Sequence, residues 1–222
     1  MEVLFLDNHI LVVAKPQNMP MNGENGFIEN VKAYLSEKGQ KATYLEPVFP
    51  MDTLAGGLML FALTSKAKER LEQQLLETDL QVKYFTVVVG ENKNKNDLVT
   101  FYTHINKQTN LLEHIPQLNQ DAIKLQVKYN TLQREQQIAL LQCVPSCAHS
   151  QEIRFALQAV NMPIFGDASF KGDVLAKNTN TALWAVELKF MHPTTKKFVT
   201  FRCFPPTGKP WSYFNVERLL KI

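Results

Sequence analysis

Residues 48–67, with the sequence VFPMDTLAGGLMLFALTSKA, contain two apolar stretches separated by a loop that carries a single charge. The stretches 48–51 and 58–63 favour strands, and the loop between them contains Asp52 followed by two glycines. An aspartate beside glycines is typical of a turn, in which the carboxylate bonds the local backbone. Alternatively, a carboxylate between two buried strands can lie at the mouth of a cleft. This segment alone leaves both interpretations open.

Outside this segment, strand patterns outnumber helical ones. Further strands are predicted at 3–6, 10–14, 82–89, 98–105, 122–132, 138–144, 182–190 and 198–204. Helices are predicted from residue 28 to the glycine at 39, over 66–77 with Ser65 as N-cap, and after Ser150 as N-cap. Because strands and helices do not alternate, the pattern predicts an α+β fold with a large, mainly antiparallel mixed sheet flanked by helices.

Composition excludes several classes of protein. The chain has 222 residues, of which 45% are hydrophobic and 20% charged, so it contains enough apolar surface to fold. Its net charge of +3 permits a polyanionic partner without requiring one. Three cysteines, an odd number, disfavour a disulfide framework and indicate a reducing compartment. We find no signal peptide and no apolar run long enough to span a membrane, so we expect a cytoplasmic protein.

Familiar catalytic and metal-binding motifs are missing. The segment from Cys143 through Cys147 to His149 lacks the usual spacing of a structural metal site, and buried thiols are the simpler interpretation. No nucleophile elbow, P-loop or dinucleotide-binding glycine motif occurs. Tyr84, in the middle of a predicted strand, reads as a core aromatic, and Arg154 reads as a surface ion-pair residue. We therefore expect no structural metal at this segment.

Seven blocks of the sequence, taken together, resemble a known family. They are LDNHILVVAKP at 6–16, FPMDTLAGGL at 49–58, LFALTSKA at 60–67, YFTVVVG at 84–90, AHSQEIR at 148–154, MPIFGD at 162–167 and FMHPTT at 190–195. In this order and spacing they are similar to the RluA type of pseudouridine synthase, which isomerises uridines in ribosomal and transfer RNA. The resemblance runs almost from end to end.

This resemblance implies a fold, a reaction and a set of residues. The fold would be that of the pseudouridine synthases, with a central cleft, as one catalytic-type domain over 1–222 without a separate N-terminal RNA-binding domain. Asp52 matches the catalytic nucleophile or base, Tyr84 the residue that stacks on the target base, and Arg154 the ion-pair partner of the aspartate. The partner would be rRNA or tRNA, and the redox-neutral isomerisation would need no cofactor or metal. A uridine must leave its stack to react, and an aromatic ring suits an extruded base.

Several positions depart from the family pattern on the side expected to face RNA. Our candidates for RNA contact are Lys15, Pro50, His149, Gln151 and Glu152. Pro50 and His149 replace arginines, Gln151 replaces a histidine, and Glu152 replaces a glutamine. Each lost cation would weaken phosphate binding. Glu152 would either repel phosphate or compete with Asp52 for Arg154.

These departures leave an alternative function open. The chain can be an RNA-uridine isomerase, or a catalytically weak or inactive RNA-binding module on the same fold. Basic side chains elsewhere could restore RNA affinity, including Lys66, Lys68 and Arg70. Without a separate RNA-binding domain, substrate choice would rest on loops of the core, for which 91–96 and 108–121 are candidates.

Overall fold

The computed structural model describes residues 1–40, 43–90, 95–105, 112–114, 122–168 and 180–220. In chain order the elements are β1 (Glu2–Leu6), β2 (Ile10–Lys15), α1 (Phe27–Glu37), β3 (Glu46–Pro47), β4 (Gly56–Ala62), α2 (Ser65–Leu76), β5 (Gln81–Val89), β6 (Asn96–Ile105), β7 (Leu112–His114), β8 (Ile123–Glu135), β9 (Ile138–Pro145), α3 (Ser150–Ala159), β10 (Leu183–Met191), β11 (Phe198–Arg202), a 3₁₀ turn (Trp211–Tyr213) and α4 (Val216–Leu220). None of the helices within these ranges combines the length and apolar character needed to cross a membrane.

All strands in the described part of the chain join one sheet. Its order is β1-β2-β4-β10-β5-β9-β8-β6-β7, with β11 paired to β10 and β3 paired to β4. Strands β4 and β10 run parallel, and the other pairs are antiparallel. Helix α2 packs on β4 and β10, and α3 packs on β6, β8 and β9. The predicted α+β fold with a mainly antiparallel mixed sheet is confirmed.

The parallel contact between β4 and β10 depends on two glycines. Gly56 and Gly57 pair with Trp184 and Ala185. Gly57 has a φ of 102°, and a Cβ there would collide with the backbone of Ala185. A Cβ on Gly56 would meet the ring of Trp184. Two glycines directly after the Asp52 loop therefore allow the two central strands to approach closely. We predicted both glycines in the loop, whereas the structure places them in the strand.

The structure also differs from the sequence-based predictions at helix starts and at one strand. Residues 48–51 are not a strand, because Pro50 has no N–H, although Val48 still donates its N–H to the Leu60 carbonyl. The N-cap of α2 is Thr64, whose hydroxyl accepts the N–H of Ala67 at 3.1 Å. His149 caps α3, one residue before the predicted Ser150. The short elements β3, β7 and α4 were not predicted.

Candidate active site

The loop before β4 holds Asp52 from two directions. Phe49 and Met51 are buried and anchor the loop in the core. The backbone N–H of Asp52 donates to the Ser150 hydroxyl of α3 at 2.9 Å. The N–H of Leu54 donates to Asp52 Oδ1 at 2.6 Å, which is the local turn that an aspartate favours. Both interpretations of Asp52 are thus compatible with its position, since it is a turn residue and a buried carboxylate.

Arg154 connects Asp52 to a second carboxylate. Its Nη1 donates to Asp52 Oδ2 at 2.6 Å, while its Nε and Nη2 donate to the two oxygens of Asp167 at 2.6 and 3.0 Å. The side chains of Arg154, Asp52 and Asp167 are 12%, 8% and 0% exposed. Burial acts to lower the pKa of Arg154, but the hydrogen bonds and charges of Asp167 and Asp52 outweigh it and raise that pKa. The guanidinium therefore remains charged between two acids.

Tyr84 is fully buried on β5, and its hydroxyl donates to the carbonyl of Ala148 at 3.0 Å. Burial, assisted by the negative charges of Glu152 and Asp52, raises its pKa. Ala148 lies in the turn that leads into α3, the helix that carries Arg154, so this hydrogen bond connects Tyr84 to that helix. In this conformation its ring lies in the core and does not form an open platform for a base.

Lys15, a candidate for RNA contact, is fully buried at the end of β2. Its ammonium donates to three backbone carbonyls, those of Pro16 at 3.0 Å, Met19 at 2.9 Å and Thr53 at 3.3 Å. Burial lowers the pKa of Lys15 to about 8, and the negative charge of Asp52 opposes that shift. Here the ammonium supports the loop that follows Asp52 instead of facing solvent.

Glu152 takes neither of the two roles expected from the sequence. It is fully buried, and its oxygens accept four hydrogen bonds from the turn between β9 and α3. The donors are the N–H and hydroxyl of Ser146 at 3.1 and 2.9 Å, the N–H of Cys147 at 3.0 Å and the N–H of His149 at 3.2 Å. Burial raises the pKa of Glu152, while these hydrogen bonds act to lower it. Glu152 therefore builds a turn, and Arg154 stays with Asp52.

The other three candidates for RNA contact differ in exposure. Pro50 is exposed and Gln151 is partly exposed. His149 is buried, and its Nδ1 accepts the N–H of Gln151 at 3.0 Å, which caps α3. Burial lowers the pKa of His149 to about 4, against the opposing effect of Asp52. The imidazole is therefore neutral near pH 7 and supplies no cation where the family has an arginine.

The remaining predictions concern the cysteines, the cations of α2 and two loops. All three cysteines are free, and among the described residues no group of three His, Cys, Asp or Glu side chains is arranged to hold a metal ion. Lys68 donates to the Pro47 carbonyl and pairs with Glu72 at 3.2 Å, and Arg70 donates to the Pro193 carbonyl at 2.7 Å. These two cations fix α2 to its neighbours. The loops at 91–96 and 108–121 fall largely outside the described residues.

Two residues of the site were missed from the sequence. The sequence predicts Ser150 as a helix cap, whereas in the structure its hydroxyl accepts the N–H of Asp52. Asp167 lies in the block MPIFGD, for which the sequence predicts no role, and it accepts two hydrogen bonds from Arg154. The available signal was a lone acid after Gly166, 13 residues beyond Arg154. Sequence alone does not show that such a residue returns to the site.

Comparison with known proteins identifies the family of the chain and supports its fold. Residues 9–159, more than half of the chain, match the family model of RNA pseudouridylate synthases. The chain belongs to this family. It is 26% identical over 201 residues to the ribosomal large subunit pseudouridine synthase C of Vibrio vulnificus, covering 88% of this chain and 62% of the relative. Its identity to the protein of the same name from Escherichia coli K12 is 27% over 209 residues, covering 87% and 63%.

Two solved structures share the fold. The human RNA pseudouridylate synthase domain containing 4 superposes with a TM-score of 0.75 at 16% identity, covering 99% of this chain and 93% of that one. For the human RNA pseudouridylate synthase domain containing 1 the TM-score is 0.72 at 14% identity, with 94% and 84% covered. The chain spans less than two thirds of the length of the bacterial relatives, 62% and 63% for the two compared. The family model shows the family of the chain, and the two solved structures show its fold.

Proposed function

We propose that this protein isomerises uridine to pseudouridine in RNA, with Asp52 as the catalytic carboxylate. In this reaction the bond between C1′ of the ribose and N1 of uracil breaks and a bond between C1′ and C5 forms. The hydrogen on C5 leaves as a proton, and N1 ends protonated. Electrons balance without an external oxidant or reductant, so the reaction itself requires no redox cofactor.

One observation carries the proposal: a nearly buried carboxylate is paired with a buried guanidinium at 2.6 Å on a pseudouridylate synthase fold. A short charge-assisted hydrogen bond favours the ionised acid, which is the form needed to act as a nucleophile or base. The Leu54 N–H at 2.6 Å fixes the rotation of the carboxylate. Groups fixed before the reaction do not have to be reoriented during it, which lowers the barrier.

Tyr84 is proposed as the residue that contacts the extruded base. Because its ring is fully buried and its hydroxyl is bonded to the Ala148 carbonyl, contact with a base requires the turn at Ala148 to move. Ala148 has a φ of 60°, a left-handed conformation that costs free energy in a residue with a side chain. The turn over Tyr84 is therefore the segment we expect to change when RNA binds.

We propose ribosomal RNA as the substrate class and the cytoplasm as the location. Both are supported by the relatives, which are bacterial and are named for the large ribosomal subunit. Transfer RNA is the competing substrate, and the experiment below separates the two.

The test is incubation of the purified protein with unmodified rRNA and, separately, with unmodified tRNA. Pseudouridines are then mapped by chemical adduct formation and primer extension. We expect new pseudouridine in rRNA with the wild type and none with Asp52→Asn. Modification confined to tRNA would show that tRNA, and not rRNA, is the substrate. Modification that survives Asp52→Asn would refute the role of Asp52.

A second candidate function is RNA binding without catalysis. The observation that favours it is the burial of Tyr84, together with a neutral His149 and an uncharged Pro50 near Asp52. This alternative predicts salt-dependent RNA binding that is unchanged by Asp52→Asn, with no pseudouridine formed by the wild type. Fluorescence anisotropy with labelled rRNA fragments over a range of salt concentrations measures that binding.

A further inference from the structure

Two depressions lie on the face of the sheet that is opposite to Tyr84. Successive side chains of a strand point to opposite faces, so Lys83 lies on the far side of β5 from Tyr84. Lys83 lines the first depression, which has a volume of about 290 Å³. Gln133 lines the second, of about 600 Å³. Gln133 pairs with Leu140, and Leu140 pairs with Val87, which shares the face of Lys83, so both depressions open on one face.

The end of β11 connects the two depressions. Arg202 lines the first, and Phe204 lines the second. Between them, the N–H of Cys203 donates to the Val186 carbonyl of β10 at 3.0 Å, so the extended pairing continues past β11. Cys203 is buried and its two neighbours are exposed, which is the alternation of a strand. From Phe198, the first residue of β11, to Phe204 the surface is about 20 Å long.

Three aromatic rings on this surface are exposed, and two of them lie beside a cation. The exposed fractions are 55% for Phe198, 47% for Phe204 and 46% for Tyr213. The ammonium of Lys189 lies 5.4 Å from the centre of the Phe198 ring, and that of Lys209 lies 5.7 Å from the centre of the Tyr213 ring. Within the described part of the chain neither ammonium forms an ion pair with a carboxylate, so both are available to an anion.

The charge of this surface is positive. It carries four cations and two acids, whereas the whole chain has nearly equal numbers, 24 and 21. The cations are Lys83, Lys189, Arg202 and Lys209, and the acids are Glu187 and Glu217. Glu187 bonds both Lys83 and Arg202 at 2.7 Å, so it fixes the positions of two cations and leaves one positive charge uncompensated. An excess of cations attracts a polyanion.

We infer that this surface binds a single-stranded segment of RNA, with phosphates on its four cations and bases on Phe198, Phe204 and Tyr213; we call it the C-terminal aromatic surface. Rings interleaved with cations suit a single strand, because every base has a π face and every nucleotide a phosphate. A protein partner fits less well, since the cores of protein interfaces are poor in lysine. All three rings lie outside the region 9–159 matched by the family model.

The inference rests on the proposed function for the choice of RNA as partner, but not on catalysis at Asp52. Asp52 lies on the Tyr84 side of the sheet, because Arg154 joins it to α3 and Tyr84 bonds the turn before that helix. RNA contacts on the opposite face hold substrate and transition state equally, so they lower KM without raising kcat. They would supply affinity that the neutral His149 does not supply near Asp52.

The first test measures the affinity for a labelled, unstructured oligouridylate of roughly 12 nucleotides by fluorescence anisotropy. Phe204→Leu and Tyr213→Leu keep the apolar bulk but remove the rings on which bases stack. We expect each to raise Kd by at least about fivefold, the lower end of the effect of one stacked base. Tyr34→Leu is the matched control, because the ammonium of Lys38 lies 5.6 Å from its ring on α1, and it should leave Kd unchanged. An unchanged Kd in the double variant would overturn the inference.

The second test repeats this measurement over a range of salt concentrations. Lys189→Gln and Lys209→Gln should each reduce the slope of the logarithm of affinity against the logarithm of salt concentration by about 0.7, the value for one phosphate contact on a single strand. Lys38→Gln is the control and should leave the slope as it is. The same slope in all of these variants and the wild type would contradict the inference.

Cross-linking locates the RNA on the chain. An oligouridylate that contains 4-thiouridine is irradiated with the wild type, and tryptic peptides are identified by mass spectrometry. Trypsin does not cleave before proline, so Phe204 and Tyr213 lie in one peptide, residues 203–218. RNA attached to this peptide supports the inference, and RNA attached only to peptides around Asp52 overturns it.

These outcomes separate the inference from the proposed function. Binding and cross-linking require no turnover, so the C-terminal aromatic surface can be confirmed even if the wild type forms no pseudouridine. If the wild type is active, the double variant of Phe204 and Tyr213 should raise KM on rRNA at constant kcat, and a lowered kcat at constant KM would overturn the inference. Weaker self-association of this variant in sedimentation, with an unchanged Kd for RNA, would identify a protein interface and also overturn it.

Discussion

Asp52 and Glu152 are both carboxylates with little exposure, and both depend on the first turns of α3. The partners of Glu152 are local: it accepts four hydrogen bonds from residues three to six positions before it. The partners of Asp52 at α3 are distant, since Ser150 and Arg154 lie 98 and 102 residues later in the chain. One acid closes a turn, and the other joins two parts of the fold.

The difference lies in the kind of donor. Glu152 is held by backbone N–H groups and a hydroxyl, which can only shape the chain around it. Asp52 shares a buried cation with Asp167, which maintains its charge within a region where water is mostly excluded. Buried charges joined in this way are a frequent feature of functional sites. The comparison thus supports the proposed catalytic role of Asp52 and a structural role for Glu152.

The largest effect on stability is expected at the cation of the Asp52 site. Replacing Arg154 with methionine removes the cation that two buried carboxylates share, which we expect to lower the free energy of unfolding by about 3–5 kcal/mol. Urea unfolding followed by circular dichroism measures it. The matched control is Arg202→Met, because Arg202 pairs with Glu187 at 2.7 Å but is 52% exposed and should cost less than about 1 kcal/mol. Equal losses in the two variants would show that the buried ion pairs of Arg154 stabilise the fold no more than the exposed pair of Arg202.

The free energy of unfolding should depend on pH through His149, the N-cap of α3. Burial lowers the pKa of His149 from 6.5 to about 4 in the folded protein. As the pH falls below 6.5, His149 is therefore protonated in the unfolded chain before it is protonated in the folded one. Stability supplied by neutral His149 is complete above pH 6.5 and is lost as the pH falls toward 4, by about 3 kcal/mol. His149→Asn keeps an N-cap acceptor without titrating. The difference in unfolding free energy between wild type and His149→Asn should therefore shrink or reverse over this range, and a constant difference contradicts the cause.

Glu152→Gln tests the structural role of the second carboxylate. The amide has a single acceptor oxygen, so at least one N–H of the turn at 146–149 loses its partner, at a cost of about 1–3 kcal/mol. Thermal and urea unfolding give the value. Glu29→Gln is the control, since Glu29 pairs with Lys32 on an exposed surface and should change stability by less than about 0.5 kcal/mol. A Glu152→Gln protein as stable as the wild type would mean that the turn does not need the charge.

The smallest effect is expected where α3 meets the Asp52 backbone. Ser150→Ala removes the acceptor of the Asp52 N–H, which should cost about 1 kcal/mol. Ser150→Thr restores a hydroxyl at the same position and is the rescue variant. Unfolding curves of the three proteins check the order wild type, Thr, Ala. An alanine variant as stable as the wild type would show that this hydrogen bond is not a support of Asp52.

Most of the strands and helices and the match of Asp52 with Arg154 could be predicted, because local patterns and ordered motif blocks record them. The role of Glu152 could not be predicted, since replacing Gln with Glu changes the charge in the sequence but does not show where the side chain points. Likewise, Lys15 looks like an RNA-binding cation until its three carbonyl partners are seen. Asp167 depends on a turn packed on β5, a contact between distant segments that has no periodic signature.

The most direct test of the whole account measures pseudouridine formation on the same rRNA by Asp52→Asn and Glu152→Gln, each compared with wild type at matched folded concentration. We predict that Asp52→Asn forms no detectable pseudouridine although its RNA affinity is retained. Glu152→Gln should keep kcat within about threefold at a temperature where it is fully folded, a difference below 1 kcal/mol in the barrier. Turnover by Asp52→Asn, or an equal loss in both variants, would contradict the proposed catalytic role of Asp52 and the structural role of Glu152.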